Sequence, residues 1–389
     1  MGKIDELTNE ASAMQKPVSD IAERGGSGAI AQLIQQYCPD GVEYVKLGDV
    51  AEVGTGSSNG NEAEDEGVYP FFVRSQSIKR KNDYEYDEEA IIIPGEGGIG
   101  DIFHYIKGKY ALHQRVYRIH FVVQSVNVKF AYHYMRSTFK QFIMMKAVSA
   151  TVVSIRKPMI EGFEIPLPPL PVQEAIVNIL DRFAEYAAEL QAELQARQQQ
   201  YNYYRDTLLS FEGRTDVQWK KLGEVLKIKN GRDYKHLNSG NVPVYGSGGI
   251  MTYVDTQVYD KPSVLIPRKG SIDKLYYVDC PFWNVDTIFY TEINASIVIE
   301  KYVFYILQKE HLEKLNTGGG VPSLTQKVLN EVVIPIPSLS EQQRIVDILD
   351  RFDTLVNDLS QGLPAEIEAR QQQYEYYRDK LLTFKKKEA

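Results

Sequence analysis

Apolar residues recurring at alternating steps of four and three mark two long stretches of the chain. In the first, Ile176, Leu180, Phe183, Ala187, Leu190, Leu194, Tyr201, Tyr204, Leu208 and Phe211 share one seam, interrupted by Arg197. Such a heptad seam predicts a coiled-coil helix rather than the broader apolar face of a globular helix. The second stretch follows with Ile345, Leu349, Phe352, Val356, Leu359, Leu363, Ile367, Arg370, Tyr374, Tyr377, Leu381 and Phe384. Its extra step of four, from Leu363 to Ile367, is a stutter that adds about one helical turn and keeps the apolar face nearly in line. Gly362 and Pro364 fall at that point and are positioned to break the helix locally. Prolines precede both seams. Ser340 with Gln343 forms the expected capping box of the second, and Pro171 with Glu174 holds those positions in the first.

The two stretches are copies. ARQQQYNYYRDTLLSF at 196–211 returns as ARQQQYEYYRDKLLTF at 369–384, and IVNILDRF at 176–183 returns as IVDILDRF at 345–352. Upstream, KLGDV at 46–50 returns as KLGEV at 221–225, and IIIPGEGGI at 91–99 has its echo in VLIPRKGSI at 264–272. Each unit is thus a variable segment followed by a well-matched helical phrase. In the variable segments, 115–123 and 286–293 read as strands, while 127–148 and 296–315 read as amphipathic helices. The predicted fold is α+β: two mixed variable domains separated by two long antiparallel coiled-coil spacer helices, in a pseudo-two-fold internal repeat. Antiparallel packing is the compact solution for this chain order, and a parallel tandem is the alternative. The boundaries expected are a flexible leader over 1–27, domain one with a short leading helix over 28–171 and spacer helix one over 172–213. Domain two follows over 214–337, and spacer helix two over 338–389. Helix pairing is expected from Ile176, Leu180, Phe183, Leu190, Leu194, Tyr201, Tyr204 and Leu208 against Ile345, Leu349, Phe352, Tyr374, Tyr377 and Leu381.

Charge alters this picture locally. The formal net charge is -8, with the acidity concentrated in the helical parts, yet residues 101–160 hold ten Lys and Arg against the single Asp101. That excess predicts a basic surface able to attract phosphates. Arg74, Gln76, Lys79, Arg80 and Lys81 cluster in one run, and His113, Gln114 and Arg115 in another. The second domain offers Lys229, Asn230, Arg232 and Lys235, then Arg268 and Lys269. Arginine can be bidentate to guanine and Gln or Asn to adenine, whereas Lys mostly neutralises phosphate, so these are the candidate DNA-binding residues. Other chemistries find little support. The glycine-rich runs at 54–60 and 94–100 lack a following Walker lysine, His104, His113, His120 and His133 form no HExxH pattern, and Ser247 lacks the context of a nucleophile elbow. Cys38 and Cys280 stand far apart without ligand spacing, so no metal is expected, and a reducing cytoplasmic setting is. No apolar run approaches the roughly 20 residues of a membrane span.

Two variable domains, each followed by a helix bearing ILDRF and QQQYxYYRDxLLxF, resemble the specificity subunit of a type I restriction-modification system, a host-defence family. The resemblance covers about residues 28–384. It implies target recognition domains that each read one half of a split, asymmetric sequence in double-stranded DNA. It also implies helices that fix the spacing of the halves and dock two modification (methyltransferase) subunits, joined by two restriction (translocase and nuclease) subunits. On that resemblance the chain carries no catalytic residue and no cofactor, while S-adenosylmethionine, ATP and Mg2+ reside on the partner subunits. The alternative readings are a coiled-coil scaffold whose end domains bind proteins or glycans, and the recognition half of a fused restriction-methylation enzyme.

Overall fold

The computed structural model describes residues 27–146, 154–316, 320–357 and 362–388, so the expected leader lies outside the described residues apart from its last position. Contacts divide the chain into two compact units. The first holds residues 27–190 with 367–388, and the second holds Gln191–Glu366.

In the first unit, helix α1 (Ser27–Tyr37) leads into β1 (Tyr44–Lys46), α2 (Leu47–Val50), β2 (Ala51–Thr55), β3 (Tyr69–Phe72), β4 (Lys79–Lys81), β5 (Tyr86–Pro94), β6 (His104–Leu112) and β7 (Val116–Phe121). Then come α3 (Val128–Lys146), α4 (Lys157–Glu161), β8 (Glu164–Pro166) and the start of α5 (Leu170–Leu208). Six strands form one sheet in the order β2-β7-β5-β6-β3-β4, antiparallel except for β3 beside β6. The unbroken apolar run of β5 follows from its central place. Ile91 and Ile93 face the cluster that includes Phe130 and Phe139 of α3, while Ala90 and Ile92 pack on Phe72, Tyr110 and Leu112. A strand covered on both faces has no polar alternation to show.

The second unit repeats the order: β9 (Gln218–Lys221), α6 (Leu222–Val225), β10 (Leu226–Asn230), β11 (Ser239–Gly246), β12 (Gly249–Val254), β13 (Ser263–Pro267), β14 (Tyr276–Val278), β15 (Trp283–Asn284) and β16 (Ile288–Ile293). Helices α7 (Glu300–Lys309) and α8 (Gln326–Asn330), strand β17 (Val333–Ile336) and helix α9 (Leu339–Asn357) complete it. Here the sheet is split into β10-β16-β13-β14 and β12-β11-β15, because the counterpart of the long β6 is broken into β14 and β15. The parallel pair survives as β11 beside β15. Helix α10 (Leu363–Leu381) brings the chain back to the first unit.

The helical phrases differ from the expected continuous spacers. Helix α5 spans Leu170–Leu208 rather than 172–213; Leu209 and Phe211 leave the helix but remain buried. The second phrase, expected as one helix over 338–389, is two helices, with Gly362 in a bend and Pro364 in the first turn of α10, where its missing amide costs no bond. Leu359 lies outside the described residues. After Leu381 the tail is extended: the Val42 amide donates to Lys385 O at 2.8 Å, and the Lys387 amide to Val42 O at 2.9 Å. The cap of α9 is Ser338, whose Oγ accepts from the Glu341 amide, rather than the expected box of Ser340 and Gln343. In the first copy the Pro169 carbonyl accepts from Val172 and Gln173, so no hydroxyl is required.

The seam is also shared between two kinds of packing. Ile176 and Leu180 enter the core of the first unit with Phe130 and Phe139, and Ile345 and Leu349 enter that of the second with Tyr302 and Ile306. Farther along, side chains pair helix to helix. In the first unit Phe183 stacks on Tyr377 at 5.6 Å, Phe183 meets Tyr374 at 6.4 Å, and Arg370 lies over Tyr186 at 5.5 Å, so partner numbers fall as α5 advances and the pair is antiparallel. In the second, Tyr204 stacks on Phe352 at 5.5 Å, in a cluster with Leu194, Tyr201, Leu208 and Val356.

Two polar devices lock each sheet domain to its helix, and both occur twice. Gln173, fully buried, accepts from the Asn127 amide at 2.8 Å and donates to Ser125 O and Pro168 O. Gln342 does the same with the Ile299 amide, Ile297 O and Pro337 O. Asp181 of the ILDRF phrase receives Lys129 Nζ at 2.6 Å and His133 Nε2 at 3.0 Å. Asp350 receives Lys301 Nζ at 2.7 Å and Tyr305 OH at 2.5 Å.

Leucine in place of Gln342 strands three buried backbone groups, each worth about 1–3 kcal/mol. Q342L is therefore expected to cost the second unit about 3 kcal/mol or more in denaturant unfolding, while the exposed neighbour Q343L stays within about 0.5 kcal/mol. A pH dependence follows from His133. Burial pushes its imidazole below the ordinary range, and the opposing pull of Asp181 is the smaller effect. The unfolded chain takes up this proton below about pH 6.5 while the folded one resists, so this stability is present above that pH and is lost as pH falls. H133Y, which copies Tyr305, is expected to remove that share: its unfolding free energy should change less than the parent's between about pH 7.5 and 5.5.

Candidate nucleic-acid interface

In both units the same four connections meet at one end of the sheets. His113 donates its amide to Phe72 O, and Val285 donates to Tyr245 O; Gly95 donates to Arg115 O, and Arg268 to Thr287 O. Ile155 donates to Gly95 O, and Leu324 to Arg268 O. These bonds equate the turn 113–115 with 285–287, Gly95 and Glu96 with Arg268 and Lys269, and the segment after β3 with the β11–β12 turn. Two glycines allow the fourth connection to close. A Cβ at Gly56 would lie 1.8 Å from Leu112 O, and one at Gly231 2.0 Å from Val285 O, so no side chain fits at either place.

On this frame the first unit carries a clamp. Glu96 accepts from Arg74 Nη1 at 3.1 Å and from Arg115 Nη1 at 3.0 Å, holding both guanidinium groups at the rim. Exposed Gln114 donates to Asn59 Oδ1 at 2.7 Å. His113 is buried, and its Nδ1 accepts from the Arg115 amide at 3.0 Å, which leaves the proton on Nε2. Burial, with the charges of Arg74 and Arg115, holds that imidazole below its usual range and therefore neutral. Gln76 is exposed on the same connection as Arg74.

Lys79, Arg80 and Lys81 sit apart from this clamp, on the edge strand β4, and have intramolecular partners. Lys79 Nζ donates to Gly60 O, and Arg80 donates to Gly67 O and Val68 O. Lys81, its side chain 12% exposed, donates to Ser58 Oγ and pairs with Glu62 at 2.8 Å and Asp83 at 3.1 Å. That ammonium holds the 57–62 loop and has little surface left for a ligand. The basic surface expected from residues 101–160 is also largely neutralised. Arg118 pairs with Glu88 and Glu52, Lys107 with Glu89, Lys129 with Asp181, and Lys140 with Asp101. All of these carboxylates except Asp101 lie outside that sequence window.

The second unit carries a cavity of about 830 Å³ instead of a clamp. Arg232, Asp233 and Lys235 line it with Ser247, Met251 and Asp286. The Trp283 indole donates to Arg232 O at 3.0 Å and fixes that loop. Arg232, Lys235 and Lys269 have no carboxylate partner among the described residues. Arg268 stacks over Phe289 at 5.7 Å and is half-buried. Lys229 is 3.4 Å from Glu292, and Asn230 accepts from Gln326, so these two belong to the sheet rather than to the cavity. Glu96, Asn59 and Ser247 stand in these connections beside the candidate residues, although the runs of basic and amide side chains do not point to them. The glycine-rich runs that hold them, 54–60 and 94–100 among them, are the available signal, set aside above for want of a Walker lysine.

Among the described residues no group of three or more His, Cys, Asp or Glu side chains could hold a metal ion, and no helix is long and apolar enough to cross a membrane. The family model for the type I restriction modification DNA specificity domain matches twice, over residues 39–197 and 215–369. The specificity subunit of a type I restriction enzyme of Escherichia coli is 39% identical over 250 residues, 56% of this chain and 61% of that protein. The match thus spans about three fifths of that relative. A putative type I restriction enzyme specificity subunit of Haemophilus influenzae is 29% identical over 348 residues, 82% of this chain and 89% of the relative. The crystal structure of the type I restriction-modification S subunit from M. genitalium aligns with a TM-score of 0.63 at 19% identity, covering 88% of this chain and 96% of that one. With its two matched segments covering most of its length, the chain belongs to the type I restriction-modification DNA specificity family.

Proposed function

We propose that the chain is the sequence-reading subunit of a type I restriction-modification complex, with each unit reading one half of a split target in double-stranded DNA. One observation carries this reading: the same four connections present a Glu96-clamped pair of arginines in the first unit and a cavity with Arg232 and Lys235 in the second. A shared frame with different side chains is what two different half-sites require. Helices α5, α9 and α10 set the spacing of the halves and dock two modification subunits, through which two restriction subunits join. S-adenosylmethionine, ATP and Mg2+ belong to those partners. This chain supplies recognition without a catalytic group and works in the cytoplasm.

Mapping methylated sites in a host that expresses the chain with its cognate modification subunit tests this. A bipartite motif is expected. Inserting one more QAEL tetrad after Leu194 lengthens α5 by ~6 Å, so the gap should widen by about one or two base pairs with both halves unchanged. Altered halves with an unchanged gap would refute the spacing role. Replacing Arg232 and Lys235 together by alanine is expected to weaken duplex binding and reduce the salt slope by up to about 2 if both meet phosphate. An unchanged slope, read by anisotropy over a salt series, would remove them from the DNA face.

A further inference from the structure

A second cavity in the second unit, of about 320 Å³, lies between the sheet and helices α7 and α9. Its walls are mostly aromatic: Tyr276, Tyr277, Phe304 and Tyr305, with Lys301 and Asp353 at the polar side. The first unit holds the same assembly in a different state of occupation. There Tyr105 meets Tyr132 at 6.2 Å, as Tyr277 meets Phe304 at 6.2 Å, and Lys129 lies over Tyr105 as Lys301 lies over Tyr277. One turn after Tyr132 stands Arg136, whose guanidinium lies 5.5 Å from the Tyr132 ring centre and donates to its hydroxyl at 3.5 Å. One turn after Phe304 stands Gln308 instead, and its Oε1 accepts from Tyr201 OH at 3.3 Å.

The second unit therefore keeps the aromatic surface but lacks the cation that covers it in the first. It adds an acid in exchange. Asp353, whose counterpart in the ILDRF repeat is Ala184, has no cationic partner among the described residues; its Oδ1 accepts only from Asn357. Lys301 does not neutralise it, because that ammonium is held by Asp350 at 2.7 Å. Aromatic rings beside an unpaired carboxylate favour a planar cation, which stacks and pairs at once. The unpaired carboxylate of Asp353 disfavours a phosphate backbone at the same place.

We propose that this cavity receives an arginine side chain of a protein partner, the guanidinium stacking on Phe304 as Arg136 stacks on Tyr132 and pairing with Asp353. The proposal rests on the reading that the chain assembles with modification subunits, and it adds a contact that only one of the two units can make. Assembly of the full-length chain with its purified cognate modification subunit, followed by titration calorimetry, tests it. D353N is expected to weaken one of the two binding steps by about tenfold. Q308R should weaken the same step, because the introduced guanidinium occupies the cavity as Arg136 does, while its melting temperature should fall by no more than the few degrees that the lost Tyr201 hydroxyl bond costs. If both variants assemble like the parent, the arginine site is wrong although the assembly stands. Tighter duplex binding by D353N with unchanged assembly would make the cavity a base-stacking site and overturn the proposal. Absence of any assembly by the unaltered chain would instead defeat the reading on which it rests.

Discussion

The half-buried carboxylates Asp181 and Asp350 hold this fold in register. Each sits in a helical ILDRF phrase and binds a lysine and a second donor from the amphipathic helix of its own sheet domain. Charge-assisted bonds of this kind are short and directional, so they fix the rotation of one helix on another as apolar packing alone does not. The buried glutamines add the second anchor, about two turns earlier in each copy, by tying the loop before α3 or α7 to the start of α5 or α9. With both anchors set, the sheet can stand in only one orientation on its helix. The four connections at the end of each sheet inherit that orientation, and with it the direction in which any reading side chain points.

Much of this was legible as repetition. KLGDV, IIIPGEGGI and ILDRF each return because each performs the same packing task twice: a short helix on a two-stranded ribbon, a strand covered on both faces, and a helix carrying the locking aspartate. What repetition could not reveal was the end of each helix. The seam of period 3.5 continues through Gly362 and Phe384, yet the backbone bends at the first and is extended at the second. Phe211 and Phe384 hold seam positions because burial selects an apolar side chain whether or not the backbone is helical. Ser338 rather than Ser340 caps α9 for a related reason: the start of that helix is set by the buried Gln342, which must reach Pro337 O, and the nearest hydroxyl then serves.

Which of the candidate cations keep an unpaired charge was only half legible. Runs of Lys and Arg are visible in a sequence, but their neutralisation depends on carboxylates brought from other strands. Arg118 looks like any other cation of the 101–160 run until β5 places Glu88 beside it and β2 places Glu52. Lys81 is likewise consumed by Glu62 and Asp83. The residues that keep exposed charge, Arg232, Lys235 and Lys269, lie in connections rather than strands, where no neighbouring strand supplies a partner.

If the proposed function holds, that distribution sets how an acidic protein with a net charge of -8 discriminates among duplexes. General attraction to phosphate grows with the number of free cations and carries no sequence information. Pairing most cations internally suppresses it. The clamp on Arg74 and Arg115 goes further, since a shared carboxylate leaves the pair with one net positive charge while holding two planar donor groups in fixed positions at the rim. Preorganised donors lose less freedom when they meet a matching base edge, and a mismatched edge leaves them no better placed than solvent does. On the proposed function, then, selectivity in the first unit would rest on geometry more than on charge. The second unit, with its free cations around an open cavity, leans the other way, so on the same proposal the two halves of the target are expected to contribute unequally to affinity and to its dependence on salt.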